Sequence, residues 1–167
     1  SVLNQDYDNL EFIIIDAAST DESVDIIKRY ESHLSFWSSE KDKGQSDGIN
    51  KGLKMATGDI VTWLNSDDRL KKNALNYVAD VFTSDVGLVY GDTEILNTDN
   101  DRQVRCVKEK HFISQMMGGM PFSQPSCFFN GHLIRNHGLL LDESLDYGMD
   151  YYFFLQLFSI SEFRYCP

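Results

Sequence analysis

Two adjacent aspartates, Asp67 and Asp68, come shortly after the apolar run DIVTWL at residues 59–64. A short apolar run of this kind is typical of a buried strand, so the two carboxylates are predicted to lie at its carboxyl end. Carboxylate oxygens are ligands that Mg²⁺ and Mn²⁺ prefer. Because Asn, Ser and Asp are also common in solvated turns, the pair by itself leaves both a metal site and an ordinary turn open.

Two further aspartates have settings that could serve chemistry. Asp16 ends the apolar run EFIIID at residues 11–16, where a turn residue is the simpler interpretation. Asp150 lies in the apolar stretch YGMDYYFFLQLF at residues 147–158, which predicts a helix. A carboxylate among apolar side chains can act as a general base. A surface carboxylate in a first helical turn also suits the helix dipole, and both interpretations stay open.

The order of elements indicates how these residues are positioned. Apolar runs predict strands and 3.6-residue periodicity predicts helices, which alternate up to residue 91. The strands are expected at 11–16, 34–40, 59–64 and 86–91, and the helices at 20–32, 49–57 and 71–83. This alternation predicts an α/β fold with a mostly parallel sheet flanked by helices. Ligands bind at the carboxyl ends of such strands, which is where Asp16, loop 41–48 and the aspartate pair are expected to converge.

The pattern changes after residue 91. Residues 92–107 predict an antiparallel hairpin around a turn-rich centre, and residues 124–129 predict another strand. We therefore expect a single domain over residues 1–167, with a ligand-binding half at 1–91 and a second half at 92–167 that contains a small antiparallel element.

Composition excludes several classes of function. The chain has 167 residues and a formal net charge of −11, which disfavours nucleic acid as a partner because such binding depends on Lys and Arg. No apolar run approaches the roughly 20 residues that span a bilayer. The three cysteines have no CxxC spacing, which argues against a zinc site. Glycine-rich phosphate-binding motifs are also absent from the sequence.

Three segments together resemble a known family. The blocks SVLNQDYDNLEFIIIDAASTDES, DKGQSDGINKGLKMATGDIVTWLNSDD and LDYGMDYYFFLQL are similar, in order and spacing, to the bacterial family 2 glycosyltransferases of GT-A fold. The resemblance implies a Rossmann-like nucleotide-binding half, an acceptor half, and a first strand that would precede residue 1. DAASTD and Met149–Asp150 depart from the family's usual DGSxD and ED motifs.

The resemblance also implies roles for individual residues. It places nucleotide contacts at Asp16, Asp47, Lys51 and Asp67, a metal site of Mn²⁺ or Mg²⁺ at Asp67 and Asp68, and an acceptor contact at Gln124. Asp150 matches the general base that takes the proton of the acceptor hydroxyl. The sequence shows no second nucleophile, so an inverting single displacement is expected.

The implied substrates are a nucleoside-diphosphate sugar, with a UDP-sugar as the expected donor, and a glycan or lipid-linked acceptor in polysaccharide synthesis. The implied location is the cytoplasm, at the inner face of the membrane for a lipid-linked acceptor, and the oligomeric state stays open. Two alternatives remain. A nucleotidyltransferase on a similar sheet would want a glycine-rich phosphate loop, and a non-catalytic sugar-binding module would not need Asp150.

Overall fold

The computed structural model describes residues 1–96, 102–105 and 118–166. The helices are α1 Ser23–Arg29, α2 Gln45–Met55, α3 Ala74–Val81, α4 Gly131–His137 and α5 Met149–Phe158. The strands are β1 Ile13–Asp16, β2 Phe36–Ser39, β3 Ile60–Val61, β4 Val86–Tyr90, β5 Thr93–Leu96, β6 Arg102–Arg105, β7 Cys127–Asn130 and β8 Glu162–Tyr165. Short 3₁₀ helices occur at Glu31–His33 and Gln124–Ser126.

The described strands form three sheets. β1 and β2 pair in parallel. The largest sheet has the order β3-β7-β4-β8, in which β4 and β8 are parallel and β7 runs antiparallel to both of its neighbours. β5 and β6 form an antiparallel hairpin. The predicted α/β fold with a small antiparallel element is therefore confirmed, and β7 from the second half completes the sheet between β3 and β4.

The predicted hairpin at 92–107 is present over its described strands, while residues 97–101 and 106–107 lie outside the described residues. None of the helices in the described ranges is long and apolar enough to cross a membrane.

A large cleft separates two of the sheets. β1 pairs with β2 and β3 pairs with β7, and no described strand joins β1 to β3. Ile13, Ile14 and Ile15 line a cleft of about 2390 Å³ together with the residues of β3.

The core is built on β4, whose five residues are all buried, as expected for a strand covered on both faces. Aromatic side chains join this core to the exit of β3. The Trp63 ring stacks on Phe129 of β7 with centroids 4.8 Å apart and on Phe154 of α5 at 6.3 Å, and it meets Phe153 edge-on at 5.5 Å. This packing fixes helix α5, and with it Asp150, against the segment that leads to the aspartate pair.

Helix α2 begins at Gln45, earlier than the start at residue 49 that the sequence predicted. Local hydrogen bonds explain the early start. The Asp42 carboxylate accepts from the Gly44 N–H at 3.0 Å, and the Asp47 carboxylate accepts from the Lys43 N–H at 3.0 Å. Gly44 has φ of 125°, a conformation that glycine adopts readily. The predicted site residues Asp47 and Lys51 both lie on this helix as a result.

The stacked position of Trp63 predicts an unequal cost for the two tryptophans. Trp63→Ala should lower the free energy of unfolding by about 3 kcal/mol, because the half-buried ring loses its contacts with three core phenylalanines, Phe129, Phe153 and Phe154. Trp37→Ala is the matched control, since Trp37 is also half-buried but stacks on no other ring among the described residues, and its indole N–H bonds the exposed Glu31. Urea unfolding followed by circular dichroism measures both, and equal losses would contradict the packing account.

Candidate active site

The chain leaves β3 through a turn that presents the aspartate pair. The Asp68 N–H donates to the Asn65 carbonyl at 3.1 Å and closes this turn. The Asn65 amide lies 3.4 Å from the Asp68 carboxylate. Asp67 is exposed and Asp68 is half-buried, so the pair stands at the boundary between protein and solvent.

Partial burial raises the pKa of Asp68 above its usual value, and the neighbouring Asp67 charge raises it further. The Asn65 amide opposes this rise in the pKa of Asp68 through its hydrogen bond. A negative charge held close to another is stabilised when a cation binds both. The pair is therefore electrostatically suited to a divalent cation.

The charge of Asp16, unlike that of Asp68, is stabilised by several hydrogen bonds within the protein. This carboxylate is 9% exposed and accepts hydrogen bonds from the Ser19 N–H at 2.9 Å, the Ser19 hydroxyl at 2.5 Å and the Ser39 hydroxyl at 2.6 Å. The Ser19 and Ser39 hydroxyls lower the pKa of Asp16 most. Asp16 is accordingly held rigid and ionised at the carboxyl end of β1.

Asp47 and Lys51 form an ion-pair cluster with Glu40. The Lys51 ammonium lies 3.2 Å from the Glu40 carboxylate and 3.4 Å from that of Asp47. The hydrogen bond from the Lys43 N–H lowers the pKa of Asp47, and the Glu40 carboxylate raises the pKa of Lys51. The cluster ties the first turns of α2 to the segment that follows β2.

A side-chain bridge connects α2 to the aspartate turn, because the Gln45 amide donates to the Asn65 side-chain oxygen at 2.9 Å. The lining of the large cleft includes Asp16, Gln45, Asn65, Asp67 and Asp68. The structure thus brings together the carboxylates of two strand ends that the sequence placed at one edge.

Asp150 lies in the first turn of α5, outside the residues that line the cleft. It is half-buried, and its carboxylate accepts from the Tyr151 N–H at 2.8 Å. Burial raises the pKa of the Cys127 thiol well above its usual value, and the Asp150 charge adds to this rise. Asp150 therefore lies near the start of β7, in the second half of the chain.

Gln124 is 8% exposed, and its amide nitrogen donates to the Trp63 carbonyl at 2.8 Å. Its side-chain oxygen is buried and has no hydrogen-bond partner among the described residues. The observed contact supports the segment that leads to the aspartate turn. The role of Gln124 in binding an acceptor stays a prediction.

The structure adds residues that the sequence did not assign to the site. Ser19 lies before α1, whose N-cap is Glu22, and its N–H and hydroxyl both bond Asp16. Ser39, Gln45 and Asn65 likewise serve the site through hydrogen bonds. Short polar side chains near the strand ends were a visible signal, but their partners depend on tertiary contacts.

The donor set fits a hard divalent cation. No cluster of three or more His, Cys, Asp or Glu side chains suited to a metal occurs within the described residues. The aspartate pair supplies carboxylate oxygens, and the Asn65 side-chain oxygen lies in the same turn. Mg²⁺ and Mn²⁺ are commonly held by one or two carboxylates, with water and substrate phosphate completing the coordination.

A family model described as "Glycosyl transferase family 2" matches residues 1–139. The chain belongs to glycosyl transferase family 2. The family resemblance and the prediction of a glycosyltransferase are thereby confirmed.

Curated relatives agree with this family. The chain is 33% identical over 108 residues to an uncharacterized glycosyltransferase of Nostoc sp., a match that covers 62% of this chain and 33% of that relative. It is 29% identical over 102 residues to the Escherichia coli UDP-Glc:alpha-D-GlcNAc-diphosphoundecaprenol beta-1,3-glucosyltransferase WfgD, covering 60% of this chain and 40% of the relative. The matches thus span between about a third and two fifths of the length of these relatives.

Solved structures show the same fold. The S. aureus protein TarS 1–349 in complex with UDP-GlcNAc aligns with a TM-score of 0.78 and 18% identity, covering 99% of this chain and 50% of that one. The mannosyltransferase PcManGT from Pyrobaculum calidifontis, in complex with GDP-Man and Mn²⁺, aligns with a TM-score of 0.70 and 20% identity, covering 99% and 48%. The predicted GT-A fold is confirmed by these likenesses.

The hydrogen bonds to Asp16 predict a pH-dependent contribution to the stability of this family 2 domain. Asp16→Asn should lower the free energy of unfolding at pH 7 by about 1–3 kcal/mol, because charged hydrogen bonds are weakened. Since the pKa of Asp16 is lowered on folding, its contribution is present above the ordinary value of 3.8 and is lost as the pH falls below it.

Urea unfolding at pH 7 and at acid pH measures this dependence. The control is Asp80→Asn, a change of an exposed carboxylate on α3. A difference between Asp16→Asn and the unmodified protein that persists undiminished in acid would contradict the account.

Proposed function

We propose that this family 2 domain transfers a sugar from a UDP-sugar to a hydroxyl of a growing glycan. The proposal rests on one observation above all. The aspartate pair at the exit of β3, with Asp68 half-buried and its pKa raised, lines the same cleft as the ionised Asp16 at the end of β1. Such a cleft suits a ligand whose one end carries hydrogen-bond donors and whose other end is negatively charged. The donors would bind Asp16, and the charged end would bind a cation held by the aspartate pair.

Asp16 is proposed to receive the nucleotide base. Its carboxylate is ionised and fixed by Ser19 and Ser39, so it offers an acceptor of constant position to base N–H groups. Asp47 and Lys51 are proposed to shape the nucleotide pocket from α2. Because Lys51 is bound by Glu40 and Asp47, we assign it to holding the loop before α2 in place.

Asp67 and Asp68 would hold Mn²⁺ or Mg²⁺, with Asp67 near the ribose and Asp68 as the direct ligand. When bound, such a cation neutralises the charge that develops on the departing diphosphate. The turn closed by Asn65 and the bridge from Gln45 hold the pair in place for this task. The complex of PcManGT with GDP-Man and Mn²⁺ supports this choice of cation.

Asp150 is proposed as the general base. It would accept the proton of the acceptor hydroxyl while that oxygen attacks the sugar carbon and the bond to the diphosphate breaks. This single displacement inverts the configuration at that carbon. The Trp63 stack supports the assignment, since it fixes the helix of Asp150 to the segment that carries the metal site.

The acceptor is proposed to be a glycan hydroxyl, carried on a lipid diphosphate or on a polysaccharide, with Gln124 on the acceptor side. The name of WfgD describes an acceptor linked to diphosphoundecaprenol, which supports this class. A lipid-linked acceptor would place the reaction at the cytoplasmic face of the membrane.

The metal assignment predicts coupled binding of nucleotide and cation. UDP with Mn²⁺ at 100-fold their dissociation constant should stabilise the protein by about 2.7 kcal/mol, seen as a rise in Tm. Asp68→Asn should abolish the Mn²⁺-dependent part, and exposed Asp80→Asn should keep it. Because protons compete for a carboxyl whose pKa is raised, the Mn²⁺ effect should weaken on acidification at a higher pH than the ordinary aspartate value of 3.8 would give. An unchanged Mn²⁺ effect in Asp68→Asn would place the metal elsewhere.

The assignment of Asp150 as the base predicts that its replacement slows sugar transfer without weakening nucleotide binding. Asp150→Asn in the full-length protein should lower the transfer rate by about 10²- to 10⁴-fold, because the acceptor hydroxyl loses its proton acceptor. UDP binding should stay unchanged. Asp146→Asn, a change of an exposed carboxylate in the loop before α5, is the matched control.

Product mass spectrometry with UDP-, GDP- and dTDP-sugars measures transfer and identifies the donor. Full activity of Asp150→Asn would overturn the base assignment. Nucleotide-sugar binding without transfer to any glycan acceptor would favour a non-catalytic module.

A further inference from the structure

One buried amide joins the two halves of the domain. Asn50 lies on α2 with 1% of its surface exposed. Its side chain points at the start of the loop 139–148, which connects α4 to α5. A buried polar side chain needs partners for all of its hydrogen-bonding atoms, so the contacts of Asn50 show what it is there to hold.

The Asn50 amide is fully satisfied by that loop. Its oxygen accepts from the Leu141 N–H at 2.8 Å, and its nitrogen donates to the Leu141 carbonyl at 2.9 Å and to the Glu143 carboxylate at 3.0 Å. The side chain thereby pairs with Leu141 as a neighbouring strand would. Since Leu141 offers one donor and one acceptor, only an amide in this orientation satisfies both.

The contact connects the elements that carry opposite ends of the site. On α2, Asp47 and Lys51 lie within one turn of Asn50. The loop continues from Glu143 into α5, where Asp150 is the second residue. Within the described parts of the chain, the hydrogen bonds that tie this loop to a distant segment all run to Asn50.

The rest of the loop has few restraints before α5 begins. Leu141 is buried in the core, but residues 143–148 are exposed, and Tyr147 is 92% exposed. The Ser144 N–H donates to the Asp142 carboxylate and the Leu145 N–H to the Asp142 carbonyl, so both bonds stay within the loop itself. The Asn50 contact therefore sets where the loop starts its path towards Asp150.

We infer that Asn50 is a positioning residue, which holds the loop before α5 in register with α2 so that Asp150 faces the donor bound on the first half. This inference rests on the proposed role of Asp150 as the base. Asn50 acts through Leu141 and Glu143 and does not itself touch the substrate. An aspartate in its place would set a carboxylate against the Leu141 carbonyl and the Glu143 carboxylate.

The test compares Asn50→Asp with Asn76→Asp in the full-length protein. Asn76 is a matched control, because its amide also donates to two backbone carbonyls but lies exposed on α3, away from the loop. For Asn50→Asp, kcat per nucleotide-binding site should fall about 10- to 100-fold, as expected when a reacting group is misplaced by about 1 Å. The KM for the donor should change less than about threefold, since α2 keeps its own contacts.

Counting kcat per UDP-binding site separates positioning from stability. A residue that only stabilised the fold would reduce the number of binding sites and leave kcat per site unchanged, and that result would overturn the inference. Glu143→Ala, on the exposed loop, covers the case in which Asn50→Asp does not fold. It removes one of the three bonds and should lower kcat per site about threefold, whereas no change would count against the inference.

A second readout does not depend on transfer. Exchange of the Leu141 amide proton should be about tenfold faster in Asn50→Asp and unchanged in Asn76→Asp, because the new carboxylate oxygen repels the Leu141 carbonyl and the Glu143 carboxylate and forces the loop away from α2. When Asn50→Asp is combined with Glu143→Gln, the amide introduced at position 143 can donate to the carboxylate introduced at position 50 and should restore part of kcat. Absence of this rescue would contradict the direct link between the two side chains.

The two arms distinguish failure of this inference from failure of the proposed function. If the unmodified protein transfers no sugar but Leu141 exchange responds as expected, Asn50 holds the loop and the proposed function is wrong. If transfer occurs and Asn50→Asp leaves both exchange and kcat per site unchanged, the positioning role is wrong.

Discussion

The stack of Trp63 between β7 and α5 is the interaction on which the site depends. Trp63 follows β3, its ring packs on Phe129 and Phe154, and its carbonyl receives the Gln124 amide. Aromatic packing of this kind contributes area burial and a preferred ring geometry at the same time. It fixes the aspartate turn a few residues further along the chain, and it presses the helix of Asp150 against the same point. The proposed cation site and the proposed proton acceptor thus rest on one aromatic core.

The carboxylates of the site differ in how their charge is stabilised, and that difference separates their roles. Asp16 is supplied with donors by Ser19 and Ser39, so its charge is already stabilised within the protein. Asp68 has a like charge beside it and a single long contact to Asn65. A divalent cation that bound to the pair would stabilise both negative charges. This contrast is the physical basis of the family 2 donor site proposed for the domain.

Local pattern was enough to predict much of this architecture. The apolar runs ending at Asp16 and before the aspartate pair correctly predicted β1 and β3, whose carboxyl ends line one cleft, and the turn-rich centre of residues 92–107 correctly predicted a hairpin. Helix α2 was predicted too short because its start depends on hydrogen bonds that loop amides donate to the Asp42 and Asp47 carboxylates. The position of β7 between β3 and β4 rests on pairings distant in sequence, which periodicity does not encode. The contact of Asn50 with Leu141 escaped prediction for the same reason.

The central claim is that the aspartate pair at the exit of β3 holds the cation of a nucleotide-sugar site. A crystal of the full-length protein grown with UDP and Mn²⁺ tests it most directly, through the anomalous scattering of manganese. The account predicts an anomalous peak about 2.0–2.3 Å from an Asp68 carboxylate oxygen, with diphosphate oxygens on its other side. A manganese peak away from Asp67 and Asp68, with UDP bound in the cleft, would contradict it.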